Sequence, residues 1–236
     1  MSDTSRHRAG DSAELSGALS EGPLVTEGPG LLVMDVDSTL IEQEVIELIA
    51  ERAGTRELVA EVTARAMRGE LDFAASLRER VATLAGVPQG VFAEVLAEVR
   101  PTQGAAELIE ALHARGCRVG VVSGGFEEVV VPLAERLGID HVAANRLEVV
   151  EGRLTGRVLG RIVDRQEKVR CLIAWAQQDG VPMERTIAVG DGANDLGMLE
   201  AAGLGVAFCA KPVVVEQADA AIHVRDLRAV LQLIGG

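Results

Sequence analysis

Two aspartates separated by one residue follow an apolar run near the start of the chain, in the stretch LLVMDVDSTL. Such a run is typical of a buried parallel strand, so Asp35 and Asp37 should lie at its C-terminal end. Alternate residues of a strand face the same side, and two carboxylates in one pocket require a cation or a shared proton. The structural alternative is that Asp37, Ser38 or Thr39 only caps the next helix.

Further polar groups occur at equivalent places along the chain, after predicted strands or at the start of a predicted helix. In an open parallel α/β sheet the carboxyl ends of the strands share one edge, where ligands bind, so these groups should converge. They are Ser123, Gly124 and Gly125 after the strand in CRVGVVSGG, Asp191 in GDGANDLGM, and Lys168 in the first turns of a helix predicted over 165–179.

This set of residue types predicts phosphoryl-transfer chemistry. The carboxylates of Asp35, Asp37 and Asp191 are hard oxygen ligands suited to Mg²⁺, which also accepts substrate phosphate. The hydroxyl and backbone amides of the Ser-Gly-Gly segment can hold an anion, and Lys168 offers a positive charge for a phosphoryl oxygen. A metal, an anion cradle, a lysine and a spare carboxylate together complete such a site.

Each motif alone also has a plain structural explanation. Ser-Gly-Gly is a common turn, Lys168 could be a solvated helix residue, and Asp195 could be favoured by a helix N-terminus. A dinucleotide site does not fit, because Gly190, Gly192 and Gly197 have the wrong spacing. Only the convergence of the motifs therefore favours the functional interpretation.

The composition limits the classes of partner. The 236 residues carry a net charge of −13, with 2% aromatic residues and no tyrosine, which disfavours nucleic acid and acidic membranes. Three cysteines lie far apart without a disulfide pattern, and no apolar run reaches the ~18 residues of a membrane span. We expect a cytoplasmic protein with a small-molecule substrate, and a homodimer is compatible with the sequence.

The order of the predicted elements indicates an α/β fold with an inserted helical cap. Residues 1–29 are rich in Ser, Gly, Glu and Asp and predict a disordered tail. A helical pattern from Ile41 to about Arg100 is too long for an ordinary crossover. Strand-helix alternation then continues and predicts a doubly wound, mainly parallel sheet. The expected domains are a core over 30–44 and 101–236 and a cap over 45–100.

DVDST, VVSGG, Lys168 and GDGANDLGM, in this order, resemble the four signatures of the haloacid dehalogenase-like phosphatases. The resemblance extends from Leu31 to Val224 and implies a Rossmann-like core. DVDSTLIEQEVIELIAE and DFAASLRERVATLAG resemble, more narrowly, the phosphoserine phosphatases of that family. The resemblance therefore implies Mg²⁺-dependent hydrolysis of O-phospho-L-serine to serine and phosphate, the last step of serine biosynthesis.

The resemblance also implies roles for the residues at the strand ends. Asp35 would be the nucleophile that forms an aspartyl-phosphate, and Asp37 the general acid and later the general base. Asp35, the backbone carbonyl of Asp37, and Asp191 would bind Mg²⁺. The remaining motif residues would hold the phosphoryl oxygens or complete the site: Ser123, Gly124 and Lys168 in the first group, Asn194 and Asp195 in the second, with Asp195 orienting Lys168 or a metal-bound water.

Four residues of the predicted cap and the segment before it are implied to select the substrate. Arg80 would hold its carboxylate and Glu44 its ammonium, while Phe73 and Met67 would form apolar walls. From the residues alone, Arg80 and Glu44 could equally belong to an ordinary charged helix face.

Two alternatives to hydrolysis stay open. A phosphotransferase would hand the phosphoryl group to another alcohol such as homoserine. A non-catalytic phosphate-binding module would be expected to lack at least one of Asp35, Asp37, Lys168 and Asp191, and all four are present.

Overall fold

An eight-stranded sheet organises the part of the chain that the computed structural model describes, residues 15–68 and 70–235. The sheet is parallel except for one antiparallel pair at each edge, and its order is β1-β8-β7-β6-β2-β3-β4-β5. The strands are β1 Leu15–Ser16, β2 Leu31–Met34, β3 Arg118–Phe126, β4 His141–Val150, β5 Arg153–Leu159, β6 Thr186–Gly190, β7 Leu204–Phe208 and β8 Ala220–Ile222.

The central strand β2 is buried on both faces, as its uninterrupted apolar sequence predicts. Leu32 and Met34 pack into one hydrophobic cluster and Leu31 and Val33 into another on the opposite face, all with no exposed surface. Helices cover both faces: α1 Pro23–Thr26, α6 Ala105–Ala114, α7 Glu127–Leu137, α8 Arg165–Gln178, α9 Leu196–Ala201, α10 Pro212–Val215 and α11 Ala229–Leu233.

The sheet is doubly wound from β2 outwards, so the predicted fold class is confirmed. The chain adds β3, β4 and β5 on one side of β2 and then β6, β7 and β8 on the other. A crevice forms where the strand order reverses, outside the carboxyl ends of the strands. The ends of β2, β3, β6 and β7 therefore lie side by side.

Four helices form the insertion between β2 and β3: α2 Val45–Ala53, α3 Arg56–Met67, α4 Phe73–Ala82 and α5 Val91–Glu98. Asp72 caps α4, since its Oδ1 accepts a hydrogen bond from the Ala75 amide at 2.7 Å. The prediction of a helix beginning near Ile41 was wrong, because Ile41 is extended and forms a β-bridge with Pro101.

The two connections between the insertion and the sheet are hydrogen-bonded to each other. The Glu42 amide donates to the Arg100 carbonyl at 3.0 Å, and the Thr102 amide donates to the Leu40 carbonyl at 2.8 Å. At the far end, the Gly86 amide donates to the carbonyl of Leu154 in β5 at 2.7 Å. The insertion is thus attached both at its connections and on the β4–β5 hairpin.

The prediction of a disordered tail over 1–29 was wrong for its second half, while residues 1–14 lie outside the described part. Leu15 pairs with Ile222 and Ser16 with Ala221, so β1 extends the sheet beyond β8. In α1, Pro23 supplies a favourable first position and Leu24 is buried in the main core. Pairing with the edge of β8 and burial of Leu24 therefore give this polar segment a defined structure.

The Ser-Gly-Gly segment was predicted to form a turn after β3, and this prediction was wrong. The segment is part of the strand itself, which continues to Phe126. The register with β4 shifts between Val122 and Phe126, so the strand is irregular where these residues occur. Glycine is well suited to such an irregularity because it adds no side chain that must be packed. None of the described helices combines the length and apolarity needed to cross a membrane.

Candidate active site

The loop after β2 turns both predicted aspartates toward the same cavity. The strand ends at Met34, and the amides of Leu40 and Ile41 bond back to the carbonyls of Asp35 and Val36 at 3.3 and 3.0 Å. Within this loop Ser38 has a left-handed backbone with φ of 58°, unusual for a residue other than glycine. Asp35 and Asp37 line the cavity, whereas Val36 is buried in the core.

The cavity lies between the carboxyl edge of the sheet and the helical insertion and has a volume of about 180 Å³. It collects residues from the loop after β2, from β3, from the loop after β6, from the insertion and the segment before it, and from the loop after β7. Its lining consists of Asp35, Asp37, Glu44, Ile46, Phe73, Leu77, Arg80, Gly124, Gly125, Asp191, Gly192, Asn194 and Lys211.

Lys168 lies beneath the cavity and bridges two carboxylates. The Asp164 side chain caps α8 by accepting from the Glu167 amide at 2.9 Å, which places Lys168 in the first turn. Its completely buried Nζ lies 2.7 Å from Asp35 Oδ1 and 2.6 Å from Asp195 Oδ1. Burial alone would lower the pKa of Lys168, but the two carboxylates outweigh it and raise the pKa, so the lysine stays charged.

Asp35 combines a buried carboxylate with an unused acceptor atom. Burial and the nearby charge of Asp195 raise its pKa, while Lys168 acts in the opposite direction. Asp35 Oδ1 is paired with Lys168 Nζ at 2.7 Å, although the contact does not have the geometry of a regular hydrogen bond. No described residue donates to the second oxygen, Oδ2, so it is available for a metal ion or for attack on a substrate in the cavity that Asp35 lines.

Asp37 is held at both of its oxygens by neighbours from different elements. Oδ1 accepts from the Val45 amide, the first of α2, at 2.9 Å, and Oδ2 accepts from the Ser123 hydroxyl at 3.4 Å. Burial and the negative charge of Glu44 raise the pKa of Asp37 to about 7. A carboxyl group with this pKa can be protonated or ionised near neutral pH, as an acid–base catalyst requires.

The Ser123-Gly124-Gly125 segment passes so close to other groups that side chains would not fit. A Cβ on Gly125 would lie 2.8 Å from Asp37 Oδ2, and one on Gly124 would lie 2.9 Å from the Phe73 ring. The Gly125 amide, predicted to face an anion, donates instead to Ser123 Oγ at 2.8 Å. The two residues are close enough in this irregular strand for that local bond.

The residues present fit a divalent cation. Carboxylate oxygens of Asp35, Asp191 and Asp195 lie within 4.8 Å of one another. Both oxygens of Asp195 already accept hydrogen bonds, from Lys168 Nζ at 2.6 Å and the Gly192 amide at 2.9 Å. This agrees with the predicted supporting position of Asp195 and leaves Asp35 and Asp191 as the side-chain donors. Burial and Asp195 raise the pKa of Asp191 to about 6.

Three of the four predicted substrate-selecting residues line the same cavity as Asp35 and Asp37. Glu44, Phe73 and Arg80 line it, and Glu44 Oε1 accepts from the Ser38 hydroxyl at 2.8 Å. Burial raises the pKa of Glu44 and lowers that of Arg80. The side chain of Met67, predicted as a second apolar wall, lies outside the described part of the structure.

The structure adds two residues that the sequence analysis did not select. Asn145 is buried in β4, donates to the Gly124 carbonyl at 2.8 Å, and accepts from the Val163 amide at 2.9 Å. It thereby fixes the irregular part of β3. The available sequence signal was a single asparagine within the strand pattern HVAANRLEVV. Lys211, in the loop after β7, lines the cavity rim. Its available signal was the scarcity of lysine in the chain.

Comparison with known proteins agrees with this geometry. The profile of the haloacid dehalogenase-like hydrolases matches residues 32–200. A phosphoserine phosphatase of Streptococcus thermophilus is 54% identical over 89% of this chain and 98% of its own length. One from Streptomyces coelicolor is 60% identical over 87% of this chain, but only 50% of its own length is matched.

Solved structures give the same result. A phospho-aspartyl intermediate analogue of phosphoserine phosphatase has a TM-score of 0.82 and 45% identity, covering 87% of this chain and 99% of that one. The extent and identity of these matches place the chain in a known group. The chain belongs to the haloacid dehalogenase-like hydrolase family and, within it, to the phosphoserine phosphatase branch.

Proposed function

We propose that this protein hydrolyses O-phospho-L-serine to L-serine and inorganic phosphate, the last step of serine biosynthesis, through a phosphorylated Asp35. The observation that carries the proposal is the arrangement around Asp35. This buried carboxylate has an unused oxygen, a charged Lys168 at 2.7 Å, and an acid of pKa about 7, Asp37, in the same cavity. The branch to which the chain belongs supports the choice of substrate.

In the first step, an Asp35 oxygen attacks phosphorus and forms an acyl-phosphate bond while the bond from phosphorus to the serine oxygen breaks. Asp37 gives its proton to that oxygen, so serine leaves as an alcohol. Lys168 offsets the negative charge that collects between Asp35 and the phosphoryl group. The Gly124 backbone, which lines the cavity, and the Ser123 hydroxyl, which is buried next to it, orient the phosphoryl oxygens.

In the second step, Asp37 is ionised and takes a proton from water, which attacks phosphorus. The bond from phosphorus to Asp35 breaks, and inorganic phosphate is released with Asp35 restored. A divalent cation, proposed to be Mg²⁺, would be held by Asp35, Asp191 and the Asp37 carbonyl, and would neutralise phosphoryl charge. Asp195 keeps Lys168 in place, and Asn194 completes the wall beside Asp191.

The helices over residues 45–100 would cover the site and select serine phosphate. Glu44 pairs with the substrate ammonium and Arg80 with its carboxylate, while the Phe73 ring lies against Gly124 and excludes water. Met67 is retained as a proposed second apolar wall. With these contacts the cavity complements a small zwitterionic phosphate monoester.

The test is a phosphate-release panel of phosphoserine, phosphothreonine and sugar phosphates, with and without Mg²⁺, using Asp35→Asn as the inactive control. Rapid Mg²⁺-dependent release from phosphoserine is expected. Homoserine added to one arm distinguishes hydrolysis from transfer, since a transferase would yield phosphohomoserine in place of inorganic phosphate. The absence of release from every substrate in the panel would contradict the proposal.

A further inference from the structure

Lysine is almost absent from this protein, and both of its lysines are at the same site. Of the 23 lysine and arginine residues, only Lys168 and Lys211 are lysines. Lys168 is the buried partner of Asp35, and Lys211 lines the same cavity from its exposed rim. An exposed cation that served only solubility could as well be arginine, which the chain uses everywhere else. The location of both lysines at one cavity indicates a specific role for Lys211 there.

The backbone around Lys211 is fixed in an uncommon way. Cys209, two residues earlier, has a left-handed φ of 47°, and its amide donates to the Ile222 carbonyl at 2.8 Å. Pro212 follows and restricts Lys211 to its extended conformation, with φ of −66° and ψ of 152°. A left-handed residue other than glycine is a strained feature that clusters at functional sites. Of the two other such residues in the described chain, Ser38 lies in the loop after β2 beside the cavity, and Glu151 lies in the β4–β5 turn.

The charge of Lys211 is available to a ligand. Neither Lys211 nor Arg80 forms a salt bridge with any residue of the described part of the chain. Both cations act on Glu44, whose pKa burial raises and these two charges lower. One end of the cavity therefore presents a carboxylate accompanied by two cations. This matches the ammonium and carboxylate of an amino acid.

We propose that Lys211 is a specificity-determining residue whose ammonium, together with Arg80, contacts the carboxylate of bound phosphoserine, an inference that rests on the proposed function. A lysine suits this position because its compact ammonium on a flexible stem can move from solvent to the ligand as the substrate arrives. Arg80 supplies the planar contact from the insertion, and Lys211 supplies the second charge from the loop after β7.

The experiment compares Lys211→Gln and Lys211→Arg with the wild type on phosphoserine and on phosphoethanolamine, which has the ammonium but no carboxylate. Arg115→Gln removes an exposed positive charge at the opposite edge of the sheet and serves as the matched control. Lys211→Gln should raise KM for phosphoserine roughly three- to tenfold, the effect of one charge-assisted contact at a partly exposed site. Its KM for phosphoethanolamine should not change, and Lys211→Arg should recover part of the loss.

An unchanged KM for phosphoserine in Lys211→Gln would overturn the inference. An equal rise for both substrates, or an equal rise in Arg115→Gln, would also overturn it, because either result would indicate general attraction of anions. Wild-type protein that released no phosphate from phosphoserine would instead overturn the proposed function, and with it this inference. The two failures are therefore distinguishable in the same data.

Discussion

The carboxyl edge of the sheet, where the parallel strands end, and the amino edge, where they begin, each contain an aspartate beside cationic side chains. The two carboxylates differ in their hydrogen bonds and in the direction of their pKa shifts. At the carboxyl edge, Asp35 is buried next to Lys168, has an unused oxygen, and has a raised pKa. At the amino edge, Asp140 lies before β4 and accepts from Arg118 at 2.6 Å, His113 at 2.9 Å and the Val119 amide at 2.9 Å.

The cationic neighbours lower the pKa of both acids, but the net shifts are opposite, because burial and Asp195 dominate at Asp35. Burial would raise the pKa of Asp140, but the bonds from Val119 and Arg118 outweigh it and hold the pKa below its usual value. Asp140 has both oxygens committed and stabilises the ends of β3 and β4. Asp35 has one oxygen paired with Lys168 and one without a described donor, and it lines the cavity. Both carboxylates have charged neighbours, so charge alone does not distinguish them. A structural carboxylate differs from a reactive one because hydrogen-bond donors already occupy its oxygens.

The largest expected effect is that of Asp35→Asn. The amide cannot act as the nucleophile, so kcat for phosphoserine should fall by at least about 10³-fold, and no phosphoenzyme should form. Lys168 remains paired with Asp195, so the fold should be retained. Rapid quench with ³²P-labelled phosphoserine measures the intermediate. Normal amounts of phosphoenzyme in this variant would remove the distinction between the two edges.

Asp37→Asn should be the next most severe and should depend on the leaving group. Loss of the general acid should slow release of serine by about 10²–10⁴-fold. An aryl phosphate, whose leaving group needs no proton, should still phosphorylate Asp35 quickly. Because water would then lack its base, phosphoenzyme should accumulate as a burst. Equal slowing of phosphorylation by both substrates would contradict the assigned role.

Arg80→Ala tests the proposed contact between the insertion and the substrate carboxylate at the carboxyl edge. Loss of a charged hydrogen bond should raise KM for phosphoserine about ten- to a hundredfold, with a much smaller effect on an aryl phosphate. Arg78→Ala is the matched control, because it removes an exposed arginine of the same helix that does not line the cavity. Similar effects of both variants, or on both substrates, would show that the insertion contributes only general charge.

Asp140→Asn should have the smallest effect on activity. The free energy of unfolding at pH 7 should fall by about 1 kcal/mol, while kcat and KM stay unchanged. Since its folded pKa is depressed, the stabilisation is present above the unfolded pKa of about 3.9 and is lost as pH falls through the folded pKa. Urea titrations across the acid range should therefore differ less between variant and wild type at low pH. A loss of activity would contradict the structural role.

Much of this site could be predicted because its residues follow strands in a regular pattern. Asp35, Asp191 and Lys168 were correctly brought together by the rule that the carboxyl ends of parallel strands share an edge. Glu44 and Arg80 do not follow strands and were selected only through the family resemblance. Their helix faces contain several equivalent charges, and the sequence alone does not say which one faces the cavity.

The remaining differences come from tertiary contacts that leave no local pattern. Leu15 is ordered by an edge strand more than two hundred residues away, so its polar surroundings were misleading. Ser123 and its glycines lie within a strand because Asn145 holds the Gly124 carbonyl from the neighbouring strand. Ile41 is extended because it pairs with Pro101, although its local sequence is compatible with a helix.

The hydrogen bond between the first amide of α2 and Asp37 has a mechanical consequence. That amide belongs to Val45, whose position is set by the paired connections at Glu42 and Arg100. If the insertion swings outward, this donor withdraws, and water also reaches the carboxyl group. Burial has the larger influence on the pKa of Asp37, so the pKa should fall on opening and Asp37 should become a stronger acid. Opening of the insertion and the acidity of Asp37 are therefore coupled. A truncated core without its insertion would have both an uncovered cavity and an acid of altered strength.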